Sequence, residues 1–70
     1  MTVNDLAKVF KDCNFHIIDI THQEDMGEYN VNFITDRENW DNKSLKLFDK
    51  EVKHCYVNDS YAECIRVEVE

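Results

Sequence analysis

The sequence predicts one α+β domain, an N-terminal helix packed on a mainly antiparallel sheet of about four strands in the order αββ(α)ββ. Three observations predict it. Val3, Leu6, Ala7 and Phe10 recur at i, i+3, i+4 and i+7, which places them on one face of a helix. Two later stretches, 28–35 and 63–70, alternate apolar and polar residues with the period of a half-buried strand. The chain has 70 residues, no Pro and one Gly, so residues 1–70 are expected as a single domain without an internal linker. With no long crossover, the strands pair mainly antiparallel.

The helix begins at Thr2, with Asp5 three residues on, as the N-cap and N3 acid of a capping box. Lys8 and Lys11 fall toward its end, where the helix dipole favours cations, and Asn14 suits a left-handed terminator. FHIIDI (15–20) is rich in β-formers, although adjacent Ile17 and Ile18 leave its phase open. EYNVNFIT (28–35) is clearly phased, with Tyr29, Val31 and Phe33 pointing one way and Asn30 and Asn32 the other. The polar THQEDMG between them offers Gly27 for a positive φ, so the pair reads as an antiparallel hairpin with a long loop.

Residues 36–50 start as a polar loop. Asp41 or Asn42 suits the cap of a short helix carrying Leu45 and Phe48, whereas alternation of Leu45 and Leu47 would suit a strand; the helix is preferred. EVKHCYV (51–57) and ECIRVEVE (63–70) are strands around Asn58-Asp59-Ser60. In the last strand Ile65, Val67 and Val69 face inward, and Arg66, Glu68 and Glu70 outward. The first helix then covers one sheet face, and the other, with Asn30, Asn32, Arg66 and Glu68, is wet.

Charge narrows the function. Fifteen acids against eight Lys and Arg give −7, and the excess is uneven. Residues 1–42 hold nine acids and three bases, net −6, and residues 43–70 hold six and five, net −1. Such a field repels free nucleic acid and anionic membranes and attracts basic protein surfaces, though acidity is also an ordinary route to solubility. No apolar run approaches the roughly 20 residues that span a bilayer. Cys13, Cys55 and Cys64 are odd in number and cannot all pair within the chain. No charged-then-apolar leader opens the sequence, so a cytoplasmic location in a host cell, with reduced thiols, is expected.

Chemistry finds little to use. His54 and Cys55 are adjacent and face opposite sides of a strand, and His16 and His22 are far apart along one. No C-x-x-C or H-x-x-x-H spacing gathers metal ligands. Cys13 and Cys55 are expected as small core residues and the histidines at the sheet edges. A reactive thiol prefers positive surroundings, which this chain lacks. Asp36, Glu38 and Asp41 have neither the Gly nor the distal Glu of an EF-hand. The expectation is a protein without catalytic residues, metal or cofactor.

Interaction is what the residues favour. Glu24, Asp25, Glu28, Asp36, Glu38 and Asp41 flank the first hairpin at its two ends, a spread closer to phosphate spacing along a nucleic-acid backbone than to a metal cage. Trp40 stands among them, and Trp is enriched at binding hot spots. The bland alternatives are solvated acids and a Trp folded back over the core before a short helix.

The opening TVNDLAKVFKDCNF followed by HIIDI resembles small proteins of phages and mobile elements of Gram-positive bacteria, which begin with a TV-x-DL helix that runs into a strand. DKEV (49–52), a strand containing Tyr56 and the alternating CIRVEV are similar to the end of such proteins. A narrower likeness, through Asn4-Asp5-Leu6 and Lys11, is to small acidic anti-CRISPR inhibitors of Cas nucleases, and it covers about the first half of the chain. That resemblance implies acidic loops, here with Glu24, Asp25, Glu28, Asp36 and Glu38, set against a nuclease's nucleic-acid-binding surface. The C-terminal hairpin departs from the pattern. The resulting expectation is a non-enzymatic inhibitor that occludes a nucleic-acid site on a Cas nuclease or other nucleic-acid-binding host protein by charge mimicry. The alternative is a phage accessory or structural protein that forms a homodimer through its last strand as an exposed edge.

Overall fold

Thr2 starts the chain's first helix as the capping box predicts. In the computed structural model, which describes residues 1–57 and 64–70, the Thr2 hydroxyl accepts from the Asp5 N–H and the Asp5 carboxylate accepts from the Thr2 N–H, each at 3.2 Å. This helix, α1 (Val3–Ala7), buries Val3, Leu6 and Ala7. It stops sooner than the apolar spacing suggests: Lys8 caps it, and Asp12 (φ 54), not Asn14, takes the left-handed backbone. Phe10 lies past the helix but still packs edge-on against Phe15, with ring centroids 5.8 Å apart.

Strand β1 (Asn14–Asp19) resolves the phase that Ile17 and Ile18 left open, since Phe15, Ile17 and Asp19 are buried. A turn over residues 20–23 leads to β2 (Glu24–Asn30), which pairs antiparallel with β1. The turn is shorter than expected, and Gln23 (φ 51) carries its positive φ. Gly27 (φ 96) sits inside β2 instead. There Met26 and Gly27 fall between the His16–Glu28 and Ile18–Asp25 pairs, two residues against Ile17, which is a β-bulge.

The largest departure follows. Residues 31–35 are not strand but helix α2 (Val31–Thr35), so Asn32 leaves the open sheet face. The Asn30 side chain accepts from the Asn32 N–H at 2.9 Å, capping the helix. Val31 and Ile34, three apart, are 1% and 0% exposed, while Phe33, expected inward, is 40% exposed. Burying the i, i+3 pair under the sheet outweighs the alternation that Tyr29, Val31 and Phe33 display.

One 3-10 turn (Arg37–Asn39) leads to α3 (Asn42–Phe48), capped by Asp41, whose carboxylate accepts from the Ser44 N–H at 2.7 Å. The chain then forms β3 (Val52–Val57) and β4 (Cys64–Val69); the expected turn at Asn58-Asp59-Ser60 lies outside the described residues. Sheet order is β2-β1-β4-β3. The two hairpins are antiparallel and join through a parallel β1–β4 pair at the centre, so the sheet is mixed. The helical stretch from Val31 to Phe48 carries the chain from one sheet edge to the other.

The helices cover one face. Val3, Leu6, Ala7, Val31, Ile34, Leu47 and Phe48 meet Phe15, Ile17, Ile65, Val67 and Val69 in a single core. Asn4, buried within α1, donates its amide to the Ile34 carbonyl at 3.0 Å and so ties α1 to α2. As expected, Ile65, Val67 and Val69 are inward and Arg66 is exposed. Because β4 is interior, it cannot be the exposed edge through which two copies pair; the edges are β2 and β3. Cys13 is in the core, whereas Cys55, expected there, is exposed on the edge strand β3. Among the described residues no helix is long and apolar enough to cross a membrane.

Candidate interaction surface

The acids singled out by sequence fall into two groups in different layers of the fold. Glu24, Asp25 and Glu28 lie on the edge strand β2, and Asp36, Glu38 and Asp41 lie on the helical connection between β2 and β3. All are exposed. They are not equivalent, because backbone N–H groups already engage two of them, Asp25 and Asp41.

Asp25 accepts from the Gly27 N–H at 2.8 Å and from His16 Nε2 at 2.9 Å. The backbone bond and then the histidine hold its carboxyl below the ordinary 3.8. The His16 contact crosses from β1 to β2 and exists because the bulge at Gly27 shifts the register between them. Glu28 accepts from the Cys64 thiol at 3.2 Å, reaching over β1 to β4. Burial, followed by this carboxylate, pushes the Cys64 thiol up, away from the thiolate a nucleophile needs.

In the helical connection, Asp36 accepts from the Asn39 amide, and Asp41 is spent on the α3 cap, with its carboxyl lowered mainly by the Ser44 N–H. Among the described residues no ion pair or hydrogen bond engages the side chains of Glu24 and Glu38.

Trp40 does fold back. It is half-buried, its indole N–H donates to the Phe33 carbonyl at 3.2 Å, and its ring meets the buried Phe48 edge-on at 5.1 Å. The Arg37 guanidinium sits 4.9 Å from the ring centroid. Phe48 is the shared floor of a larger aromatic group, with Tyr29 at 5.2 Å and Phe33 at 5.9 Å, both edge-on, and Tyr29 stacked on Phe33 at 6.2 Å.

Arg37 aside, the Lys and Arg side chains in ion pairs lie elsewhere. Lys50, Lys53 and Arg66 pair with Asp19, Glu70 and Glu68, on the β3–β4 side and at the end of β1. Asp19 is almost wholly buried and takes three hydrogen bonds, from the Thr21 and His22 N–H groups and His22 Nδ1, so it locks the β1–β2 turn. Sequence reasoning missed Arg37, His16 and this Asp19–His22 lock. It also passed over a signal that was present: residues 12–36 contain Asp12, Asp19, Glu24, Asp25, Glu28 and Asp36 and not one Lys or Arg. That stretch is the β1–β2 hairpin and α2.

Among the described residues no three His, Cys, Asp or Glu side chains gather in a way that could hold a metal ion. Comparison with known protein families, with curated proteins and with solved structures found no match.

Proposed function

We propose that this chain is a non-enzymatic binding protein that presents the acidic β1–β2 hairpin and the following connection to a basic protein surface, one that otherwise holds nucleic-acid phosphates. The observation that supports this reading is the run 12–36, which forms β1, the edge strand β2 and α2 and contains six acids and no Lys or Arg; of the six, Asp19 pairs with Lys50. Asp19 is used inside the turn, leaving the other five at the surface. Carboxylates on a rigid strand and helix cap can replace phosphates in a Lys/Arg groove, and long-range attraction speeds the encounter. Glu24, Asp25, Glu28, Asp36 and Glu38 are the partner-binding acids in this proposal. Asp41 has a structural duty as well, and Trp40 contributes through its exposed side.

The resemblance of the opening residues to acidic anti-CRISPR inhibitors makes a Cas nuclease the first partner to test, acting in the host cytoplasm; no cofactor, membrane or free nucleic acid enters the proposal. The test is competition: the protein is added to a Cas nuclease before its DNA, and DNA binding is followed by mobility shift. Concentration-dependent loss of the shifted band supports the proposal. An undiminished band removes the Cas nuclease as the target. Capture of another nucleic-acid-binding protein from host lysate, followed by the same competition, then tests the broader reading.

A second reading, a self-associating accessory protein, is carried by β3, whose Lys53, His54, Cys55 and Tyr56 are all exposed on an edge strand. Sedimentation equilibrium decides it, since a monomer at high protein concentration excludes this dimer.

A further inference from the structure

The aromatic group over Phe48 is more than core, because its outer side is open. Phe33 is 40% exposed, Tyr29 and Trp40 are half-buried, and the three rings share Phe48 as their floor. Exposed Asp36 and Glu38 flank Arg37 in the 3-10 turn that Trp40 caps. Aromatic faces beside carboxylates form a site suited to a guanidinium, which is flat, weakly hydrated and permanently charged. The structure already holds one there: Arg37, 4.9 Å from the Trp40 centroid. Arg37 shows that the ring face accepts a guanidinium. A partner's arginine would take the place of this internal one.

We infer that Tyr29, Phe33 and Trp40, with Asp36 and Glu38 in the adjoining turn, form an arginine-recognising surface for a basic segment of the partner protein, and that Arg37 occupies it in the free chain. This rests on the acidic-surface reading above and deepens it, since charge alone does not tell arginine from lysine whereas stacking does. The acids would draw the basic segment in, and the aromatic patch would select arginine within it.

Trp40 is the chain's single Trp, so its fluorescence reports this surface directly. The experiment titrates the full chain with a synthetic peptide alternating Arg and Gly, and with its Lys–Gly counterpart of equal length. The Arg peptide should change Trp40 emission and half-saturate at about two- to fivefold lower concentration than the Lys peptide, as a surface cation–π contact implies. Arg37→Lys keeps the charge but stacks less well, so it should tighten Arg-peptide binding; Phe33→Ser should weaken it. Arg37 is at the surface, so Arg37→Lys remains informative even where Phe33→Ser lowers stability. Half-saturation by both peptides at equal concentration, with no effect of Arg37→Lys, overturns the arginine site and leaves the acidic-surface reading standing. Binding of neither peptide at low salt overturns both.

Discussion

Val67 tests the architecture most severely. It is 0% exposed on the central strand β4, opposite Ile17 of β1 in the parallel pair and Cys55 of β3 in the antiparallel one. Val67→Ala removes two methyl groups from this position. At roughly 0.8 kcal/mol per buried methylene-sized group the transfer loss is about 1.6 kcal/mol, and incomplete collapse of the cavity raises the total to about 2–3 kcal/mol. A core of this size supplies only about 3–5 kcal/mol net, so the substitution removes roughly 40% or more of the stability. In thermal unfolding followed by circular dichroism, Tm should fall by about 10–20 °C. Val67→Asp places an unpaired carboxylate at the same point and should abolish the cooperative transition altogether. Arg66→Ala, one residue away on the open face, should change stability by less than about 1 kcal/mol. A cooperatively folded Val67→Asp protein, or equal losses at 66 and 67, would refute the strand phase and the one-sided core.

Other expectations follow from single features. Gly27→Ala should cost about 1–2 kcal/mol in urea unfolding, since φ is 96 while an added Cβ would meet Tyr29 only at 3.7 Å; a neutral result would mean the bulge is not fixed. Asp5, Asp19, Asp25 and Asp41 all have carboxyls held below their ordinary value of 3.8, by the hydrogen bonds of Thr2, His22, Gly27 with His16, and Ser44. A depressed folded-state value means that their contribution is complete above 3.8 and is lost as pH falls through the lower folded values. Tm should therefore decline below about pH 4, and Asp19→Asn should flatten that decline; an unchanged acid limb would remove Asp19 from the account. Chelation should leave Tm unaltered, and a drop of several degrees would reveal a bound ion that stabilises the fold.

Local chemistry was readable wherever one side chain served its own neighbours. The Thr2–Asp5 box, the Asp41 cap and the inward phase of Ile65, Val67 and Val69 are all decided within a few residues, and all stand as the sequence predicts. Residues 31–35 carried two competing patterns, alternation and an i, i+3 apolar pair, and β-branched Val31, Ile34 and Thr35 favoured the strand. Asn30 and the core contacts of Ile34 decided for helix, and such contacts come from elsewhere in the chain. The parallel joining of β1 and β4 was equally hidden, because alternation fixes which face a residue takes and not which strand lies beside it. For the candidate surface, the acids could be counted but not sorted. Only the fold separates Asp41 and Asp25, which are tied to backbone N–H groups, from Glu24 and Glu38. The Arg37–Trp40 contact depends on how the 3-10 turn lays one side chain over the other.

Whether the acids of β2 and the helical connection draw in a basic partner is decided by association kinetics on the partner whose nucleic acid the protein displaces. The variant to compare carries Glu24→Gln, Asp25→Asn, Glu28→Gln, Asp36→Asn and Glu38→Gln together, at low and at high salt. The on-rate of the unaltered chain should fall steeply with salt, as screening over about 10 Å at 0.1 M requires, and the variant should fold but associate slowly at both salt concentrations. On-rates that match at low salt, with no salt dependence in either protein, would show the acids to be solvated surface and not a binding site.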